Sequence, residues 1–460
     1  MNSMLVIPVC FVIACAMVPA QERTRPNLVI ILTDDQGYAD IGVQGAQGFA
    51  TPSIDRLSRE GIRFTDFYVA QPVCSASRAA LLTGCYPQRV GIAGALGPSA
   101  RHGLADGETT LAEICRSAGY ATAAFGKWHL GCQPPFLPTR HGFDRFEGIP
   151  YSNDMWPFHP ESPKAWLDLP LLRGERVVAY NPHQRDFTSR FASLGSAFIE
   201  ESVAAGRPFF LYVAHPMPHV PLHVSEARAG RSARGLYGDV IEDIDDSVGQ
   251  ILGTLERLGV DRDTLVVFSS DNGPWLSYGE HAGSALPLRE GKGTTFEGGV
   301  RVPFVARWPA AIPAGSVCRE PAMMIDILPT VARWLGQPLP DHPIDGLDIG
   351  DLLRAVPGAE SPHEHLVFWY RSKGGPEAIR GGRWKLHLPH RYRSMEGRDP
   401  GPGGGLPGSY DYDRRIGLEL FDLQSDPGET TDCAADHPEV VVRLQAAAGA
   451  AHERLEREAR

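Results

Sequence analysis

The chain has 460 residues, of which 43% are hydrophobic and 22% are charged, and its formal net charge is −11. These values are ordinary for a globular protein of one or two domains. The acidic balance argues against a large basic surface for nucleic acid, although it allows one small positive pocket.

The first twenty residues carry no charge and are mostly apolar, and the polar segment QERTRPN follows them. This pattern predicts a secretory signal peptide over residues 1–20, with cleavage near Ala20. The segment VIAC offers an alternative, in which Cys15 is the lipid-modified cysteine of a bacterial lipoprotein. No later stretch of sequence is long and apolar enough to cross a bilayer. We therefore expect an exported protein that is secreted or periplasmic, or is anchored by a lipid at Cys15.

Four short apolar runs predict buried parallel strands. They cover residues 27–33, 120–125, 208–214 and 264–269. Apolar residues at helical spacing over 240–258 precede the last run. Strands that alternate with helices predict an α/β fold, with a large, mostly parallel mixed sheet flanked by helices.

Polar side chains follow each of the four predicted strands directly. The first strand is followed by DDQG, the second by GKWH, the third by two histidines and the fourth by SDNG. These side chains belong to Asp34, Asp35, Lys127, His129, His215, His219, Asp271 and Asn272. Because ligands of open α/β sheets bind outside the carboxyl ends of the strands, we expect these side chains at one edge of the sheet.

The composition changes after about residue 340, where proline and glycine become frequent. The segment predicts two strands, a loop rich in glycine and proline, and a closing amphipathic helix. These pieces cover residues 365–370, 384–388, 397–409 and 438–456. We therefore expect a catalytic α/β domain over residues 21–340 and a smaller C-terminal α+β domain with a short antiparallel sheet over residues 341–460.

The oxygen ligands at the strand ends suit a hard cation, calcium or magnesium, better than zinc. A single aspartate after a strand is more often a cap or turn residue, but DDQG and SDNG in one chain favour a metal. Arg78, Lys127 and Lys292 lie beside predicted turns near the same edge. Lysines are usually solvated, but Lys127 and His129 are predicted on one face of an extended segment, which pairs a fixed charge with a titratable group. These residues suit an anionic group bound on a metal.

Cys74 opens the segment CSASRAALLTG, which predicts a helix over 75–83 that ends at Gly84. A helix N-terminus favours an anion, so a thiolate there is expected to be acidified and reactive. The alternatives are a buried structural cysteine and a cysteine-protease nucleophile. The protease role does not explain the acidic residues. The eight cysteines are sparse and form no C-x-x-C pair, which argues against a tight disulfide scaffold and against a cysteine zinc site.

Several motifs, in this order along the chain, resemble those of the sulfatase family. CSASRAALLTG resembles the family signature C-x-P-S-R with a following L-L-T-G. RPNLVIILTDDQGYAD, GKWHLG, PHVPL, SSDNG and GKGTTFEGGVRVPF resemble further sulfatase segments, and GIPYSNDM is similar to the arylsulfatase A branch. The resemblance extends over nearly the whole chain after residue 20. It implies the fold of the alkaline phosphatase superfamily and the hydrolysis of sulfate esters.

The resemblance also implies a role for each matching residue. It implies that Cys74 is oxidised to formylglycine (3-oxoalanine), whose hydrate attacks sulfur and later releases sulfate. The implied calcium ligands are Asp34, Asp35, Asp271, Asn272 and an oxygen of residue 74. The other implied site residues are Arg78 and Lys127 beside the hydrated aldehyde, His129 as its base, His219 and Lys292 at the sulfate, and Ser152 at the substrate.

The resemblance implies a maturation enzyme as a partner, of the formylglycine-generating or the radical type. Ala76 stands where the family more often has proline, and we hypothesise that the radical type acts here. The predicted export favours a sulfated carbohydrate as the substrate. We expect no nucleic-acid partner. Two alternatives remain: a phosphonate monoester or phosphodiester hydrolase of the same superfamily, and a non-catalytic binder of sulfated glycans in which Cys74 stays a thiol.

Overall fold

The computed structural model describes residues 25–370 and 374–458. Within them the strands are β1 Asn27–Thr33, β2 Ile62–Phe64, β3 Phe67–Tyr68, β4 Ala121–Lys127, β5 Arg145–Ile149, β6 Pro170–Arg173, β7 Arg176–Tyr180, β8 Phe209–Ala214, β9 Thr264–Ser270, β10 Phe304–Arg307, β11 Ser316–Cys318, β12 Ala322–Met323, β13 Leu366–Phe368, β14 Ala378–Gly381, β15 Trp384–His387, β16 His390–Ser394, β17 Asp411–Ile416 and β18 Glu419–Asp422. The α-helices are α1 Pro52–Arg59, α2 Cys74–Thr83, α3 Leu111–Ser117, α4 Phe187–Ala204, α5 Gly235–Arg257, α6 Glu297–Val300, α7 Ile327–Leu335, α8 Gly350–Leu353 and α9 Pro438–Glu458. The predicted signal peptide and Cys15 lie outside the described residues.

Ten strands form one large mixed sheet in the order β11-β2-β10-β9-β1-β8-β4-β5-β6-β7. The five central strands, from β9 to β5, are parallel. β10 pairs antiparallel with β9, and β6 pairs antiparallel with β5. The predicted fold class is therefore confirmed, and the four strands predicted from apolar runs are β1, β4, β8 and β9.

Helices cover both faces of the large sheet. β1 is apolar throughout because alternate side chains enter two different cores. Leu28 and Ile30 pack into the core that contains α2, α3 and α7, whereas Val29 and Ile31 pack into the core that contains α1, α4 and α5. The helix predicted from residues 240–258 is α5, whose apolar stripe lies on the second core.

The C-terminal part forms an antiparallel sheet in the order β13-β14-β15-β18, and α9 packs on β14 and β15. The two strands predicted in this part are β13 and β15. A separate hairpin, β16 and β17, was not predicted, because its residues HRYRS and DYDRRI are mostly polar. One apolar core extends from Leu28 of β1 to Leu444 of α9. The domain boundary at residue 340 stays a prediction.

None of the helices in residues 25–370 and 374–458 combines the length and the apolar character needed to cross a membrane.

Candidate catalytic site

The carboxyl ends of three central strands bring the predicted polar residues together. Asp34 and Asp35 follow β1, Lys127 ends β4, and Asp271 and Asn272 follow β9. All five side chains are buried, with exposed fractions of 0–3%. These residues were predicted to meet because they come from three separate strand ends, and parallel strands bring their carboxyl ends to one edge of the sheet.

The acidic residues form a compact oxygen-rich cluster. Asn272 Nδ2 donates to Asp35 Oδ1 at 2.7 Å, and the backbone N–H of Asp35 donates to Asp271 Oδ1 at 3.1 Å. Asp35 adopts a left-handed backbone conformation, with φ of 64°, which aims its carboxylate back into the cluster. Ligand atoms of Asp34, Asp35, Cys74 and His219 lie within 4.8 Å of one another.

Two oxygens of this cluster are buried without a hydrogen-bond partner among the described residues. They are Asp34 Oδ1 and Asn272 Oδ1. A buried acceptor without a partner is costly, and a cation is one way to satisfy it. The orphan oxygens and the carboxylate and amide donors together fit a hard divalent cation.

Arg78 of α2 joins two of the acids. Its Nη2 donates to Asp34 Oδ2 at 3.0 Å and to Asp271 Oδ2 at 2.7 Å, and its Nε donates to Asp271 Oδ2 at 3.0 Å. Its Nη1 donates to the carbonyl oxygen of Lys127 at 3.0 Å. Arg78 therefore fixes the ends of β1, β4 and β9 relative to α2.

Lys127 occupies the centre of the site. Its Nζ lies 2.5 Å from Asp34 Oδ2 and donates to Ser152 Oγ at 2.9 Å. Burial opposes ionisation of Asp34, but the charges of Lys127 and Arg78 outweigh it and hold the pKa of that carboxyl below its usual range. Gly126 precedes the lysine with φ of 118°, and a Cβ there would lie 1.9 Å from the carbonyl oxygen of Ala214. Glycine is therefore required where β4 approaches β8.

Lys292 and His219 lie on the other side of the cluster. Lys292 Nζ is 2.8 Å from Asp35 Oδ1, and His219 Nε2 is 3.6 Å from Asp35 Oδ2. Both also contact Trp275: the ammonium lies 4.4 Å from the ring centroid, and the imidazole packs edge-on at 5.4 Å. Burial and the charge of Lys292 lower the pKa of His219. The imidazole is therefore mainly neutral at pH 7.

His129 enters the site differently from the prediction. We expected it on one face of an extended segment with Lys127, but β4 ends at Lys127 and His129 has φ of 61°. The turn places His129 Nε2 at 2.8 Å from the carbonyl oxygen of Leu96 and leaves Nδ1 buried without a partner among the described residues. Burial and the charge of Lys127 hold the pKa of His129 well below its usual range.

Cys74 is the first residue of α2, one residue earlier than predicted, and its exposed fraction is 2%. The expectation of an acidified thiolate is wrong. Burial raises the pKa of the Cys74 thiol to about 12 and outweighs the charges of Lys127 and Lys292. An unmodified Cys74 is therefore neutral, and its thiol is a weak nucleophile at pH 7.

Two residues of the site, Trp275 and Arg393, were not among the predicted ones, and the expectation that His215 lies in the cluster is wrong. A tryptophan after a strand and an arginine in a hairpin are ordinary features that do not indicate a site. Arg393 of β16 donates from Nε to the carbonyl oxygen of Lys292 at 2.9 Å. His215, which also follows β8, lies outside the cluster and contacts Ser247 of α5 at 2.9 Å.

Comparisons with known proteins cover most of the chain. A family model described as Sulfatase matches residues 26–337. The chain is 40% identical to arylsulfatase A of Bos taurus over 425 residues, which is 88% of this chain and 82% of the relative. It is 37% identical to N-acetylgalactosamine-6-sulfatase of Mus musculus over 443 residues, which is 90% of this chain and 83% of the relative.

The fold is similar to that of a solved structure, the PsFucS1 sulfatase from Pseudoalteromonas sp. The two structures superpose with a TM-score of 0.82 at 28% sequence identity, over 95% of this chain and 91% of the other.

Proposed function

The chain belongs to the sulfatase family and hydrolyses sulfate esters, and from this premise we propose that Cys74, matured to formylglycine, is its reactive residue. The observation that carries the proposal is the position of Cys74. It starts a fully buried helix and lies within 4.8 Å of ligand atoms of Asp34, Asp35 and His219. A neutral thiol at that position has no evident chemical role, whereas a hydrated aldehyde supplies one hydroxyl to attack sulfur and a second whose deprotonation releases sulfate.

A divalent cation, calcium in our proposal, is held by the four oxygen donors of the cluster. These are Asp34, Asp35, Asp271 and Asn272. When bound, the cation supplies positive charge that orients the sulfate ester and polarises its oxygens. The buried orphan oxygens of Asp34 and Asn272 support this assignment.

The surrounding cations hold the anionic group in place. Arg78 approaches from α2 and Lys127 from β4, and Lys292 approaches from the opposite side of the cluster. All three are buried, so their charges act in a water-poor environment where they stabilise the sulfuryl oxygens more strongly than in water. Ser152, hydrogen-bonded to Lys127 at 2.9 Å, orients that ammonium and contacts the substrate.

Two histidines take part in the proton transfers. His129 is anchored through Nε2 and presents an unpartnered Nδ1, so it accepts a proton from residue 74. His219 is anchored through Nδ1, which lies 2.6 Å from the carbonyl oxygen of Val220, so its Nε2 faces Asp35. In our proposal the leaving oxygen is protonated by the ammonium of Lys292, or by His219 in its protonated form, in which Nε2 also carries a proton.

We further propose that the natural substrate is a sulfated carbohydrate. Relatives named N-acetylgalactosamine-6-sulfatase support this class. We propose that residues 1–20 direct export of the chain, with a lipid anchor at Cys15 as the alternative. We also propose that an enzyme of the radical type matures Cys74, because residue 76 is alanine. We also propose the division into domains at residue 340.

The first experiment measures the mass of the tryptic peptide 64–78 from protein made in its own host. We expect the mass of an aldehyde or its hydrate at Cys74. An intact thiol in protein that turns over sulfate esters would contradict the assignment.

Coexpression with each type of maturation enzyme tests the hypothesis on Ala76. Full conversion of Cys74 by the aerobic formylglycine-generating type alone would contradict the hypothesis that the radical type acts here.

The second experiment compares turnover of aryl sulfates with that of aryl phosphonate esters by the matured protein. We expect a preference for the sulfate ester. A preference for the phosphonate would favour a phosphonate monoester hydrolase instead.

A third experiment tests the cation. Added calcium is expected to raise turnover in protein that has been treated with a chelator, and the response to calcium is expected to be weaker in Asn272→Ala, which lacks one proposed ligand.

A further inference from the structure

A second group of metal-ligating side chains lies outside the catalytic site. Cys85, Glu108 and His342 come from three separate segments: the turn after α2, the loop before α3 and the loop after α7. Their ligand atoms, one thiol sulfur, one carboxylate oxygen and one imidazole nitrogen, lie within 4.8 Å of one another. We propose that these three residues bind a zinc ion, in addition to the cation of the catalytic site.

The donor set indicates which metal the site takes. One sulfur, one nitrogen and one oxygen suit the borderline-soft Zn²⁺, whereas the catalytic cluster, rich in oxygen, suits a hard cation. Charge favours the same ion. The Cys85 thiol donates to the carbonyl oxygens of Thr83 and Pro343 and would lose its proton on binding zinc, so that a thiolate and the Glu108 carboxylate would face a divalent cation where the thiol is 0% and the glutamate 5% exposed.

The contacts of His342 indicate which ring nitrogen can bind the metal. Nδ1 lies 3.3 Å from the carbonyl oxygen of Pro343, and Nε2 accepts a hydrogen bond from the backbone N–H of Thr109 at 3.4 Å, so the lone pair is on Nε2 and zinc would replace that contact. That Nε2 is 3.8 Å from Glu108 Oε2. Two zinc ligands at normal bond lengths lie about 3.3 Å apart in a tetrahedron, so side-chain rotations close the site.

The site is reachable and ties together parts of the chain that are distant in sequence. The imidazole of His342 is 17% exposed, which gives an ion access from solvent. Residues 345 and 346 already donate backbone hydrogen bonds to the carbonyl oxygen of Gly84, both at 2.9 Å. Zinc adds a second link between the end of α2, the helix that begins with Cys74, and the start of the C-terminal part. We propose that it links these segments, and three protein ligands would leave the fourth position of a tetrahedral site to solvent.

The sequence contains no C-x-x-C pair, which excludes zinc sites built from closely spaced cysteines but not a site with one cysteine. Here a single cysteine is completed by a histidine 257 residues further along the chain. Spacing in the sequence cannot reveal such a site, because the fold alone brings the donors together.

Cobalt is the probe for the test, because a thiolate bound to Co²⁺ gives a charge-transfer absorption band in the near ultraviolet. The full-length chain carries Cys74→Ala, so that the catalytic cluster contributes no thiolate, and the metal-free protein is titrated with Co²⁺. We expect a band that saturates by about two equivalents, since the catalytic cluster also takes up Co²⁺ without giving such a band, and that disappears when Zn²⁺ is added, since zinc binds more tightly than cobalt.

Three further variants are made in the same background. Cys85→Ser is expected to abolish the band, and His342→Ala to weaken cobalt binding roughly tenfold or more. Cys433→Ser, a half-buried cysteine elsewhere in the chain, is the matched control and retains the band. Circular dichroism checks that each variant is folded, and His342→Ala, at a partly exposed position, keeps the test valid if Cys85→Ser does not fold.

The proposal is overturned if the Cys74→Ala protein gives no band at saturating Co²⁺, or if the band persists in both Cys85→Ser and His342→Ala. None of these outcomes depends on sulfatase turnover. A failure of the zinc proposal is therefore distinguishable from a failure of the proposed catalytic residues.

Discussion

Arg78 is a buried residue that pairs with two acids of the site, and we expect the site to tolerate its loss poorly. It is 0% exposed and is paired with two carboxylates that are also 0% exposed. Removing one partner of a buried ion pair leaves uncompensated charge in a place with little water, which costs far more than the loss of an exposed pair.

We expect Arg78→Ala to lower the free energy of unfolding by about 3–5 kcal/mol and to reduce turnover of sulfate esters by about 100-fold or more. Urea denaturation and initial rates measure the two effects. The control is Arg257→Ala, which breaks an exposed pair with Glu200 and is expected to cost less than about 1 kcal/mol. Equal losses of stability in the two variants would contradict the reasoning.

The identities of the site residues follow from sequence much better than their conformations do. Asp34, Lys127 and Asp271 could be placed at one edge because each directly follows a recognisable apolar strand. The left-handed conformation of His129 could not be predicted, since the period of two that defines a strand ends at Lys127 and nothing in GKWHLG fixes the turn. The shift of the Cys74 pKa depends on burial, which a helix N-terminus alone does not reveal.

Helix α5 holds the N-terminus of α1 through one carboxylate. Asp245 accepts hydrogen bonds from the backbone N–H groups of Ser53 and Ile54, at 3.0 and 2.8 Å. Burial nevertheless raises the pKa of Asp245 to about 6. The protonated form is therefore favoured by folding. The stabilisation that Asp245 gains from this shift is fully present below its unfolded-state pKa of about 4. It is lost as the pH rises through its folded-state pKa of about 6.

We expect Asp245→Asn to flatten the dependence of stability on pH, because the amide keeps an acceptor oxygen but never ionises. Between pH 4 and pH 7 the free energy of unfolding of the variant should gain up to about 2–3 kcal/mol relative to the parent protein. Urea unfolding at several pH values measures this. The control is Asp246→Asn, whose side chain is 52% exposed in its pair with Arg228. Parallel pH profiles for the parent and Asp245→Asn would contradict the expectation.

The hairpin of β16 and β17 supports the lysine on the far side of the site. The guanidinium of Arg393 donates to the carbonyl oxygen of Lys292 and lies 4.6 Å from the ring centroid of Tyr410. The contact is close: a Cβ on Gly293 would lie 2.6 Å from Arg393 Nη2. Arg393 therefore positions Lys292 without touching the predicted metal ligands.

We expect Arg393→Ala to lower kcat/KM for sulfate esters by about 10- to 100-fold, because a small displacement of Lys292 would weaken the contact with the sulfate that we propose for it. Arg393→Lys should recover part of the loss, since an ammonium can still donate to the carbonyl oxygen. Arg415→Ala, an exposed arginine of the same hairpin, is the control. Unchanged kinetics in Arg393→Ala, or a lower melting temperature without a kinetic effect, would show that the hairpin does not position the lysine.

Across the whole molecule, a buried ionic network joins the C-terminal sheet to the catalytic part. Lys385 of β15 lies 2.9 Å from Glu297 of α6 and 3.0 Å from Glu429, and all three are 0% exposed. The apolar core that extends from β1 to α9 crosses the same boundary. The two parts therefore depend on each other for stability, although their compositions differ.

We expect calorimetry to show a single unfolding transition for the whole chain. Lys385→Met should move that transition to lower temperature as one unit, with a loss of about 3–5 kcal/mol, because two buried carboxylates lose a partner. Lys164→Met, at an exposed position, is the control and should have an effect within about 0.5 kcal/mol. Two separate transitions, of which only one responds to Lys385→Met, would contradict this dependence.

The large sheet could be predicted because its central strands are continuous apolar runs, whereas the small strands at its edges could not. β2 and β11 have three residues each, and β7 is mostly exposed, so neither length nor alternation distinguishes them from loops. The ionic network was also invisible in the sequence, because Glu297, Lys385 and Glu429 belong to segments that meet only in the folded chain.

The burial of α2 has a consequence for the order in which Cys74 is oxidised and the chain folds. All ten residues of this helix are buried, and Cys74 is its first residue. An enzyme that oxidises Cys74 has to bind the surrounding backbone in its own active site, and the folded chain offers no such access. The oxidation we propose therefore comes before folding is complete. A chain that folds first keeps its thiol and, although native in structure, stays inactive for as long as it remains folded.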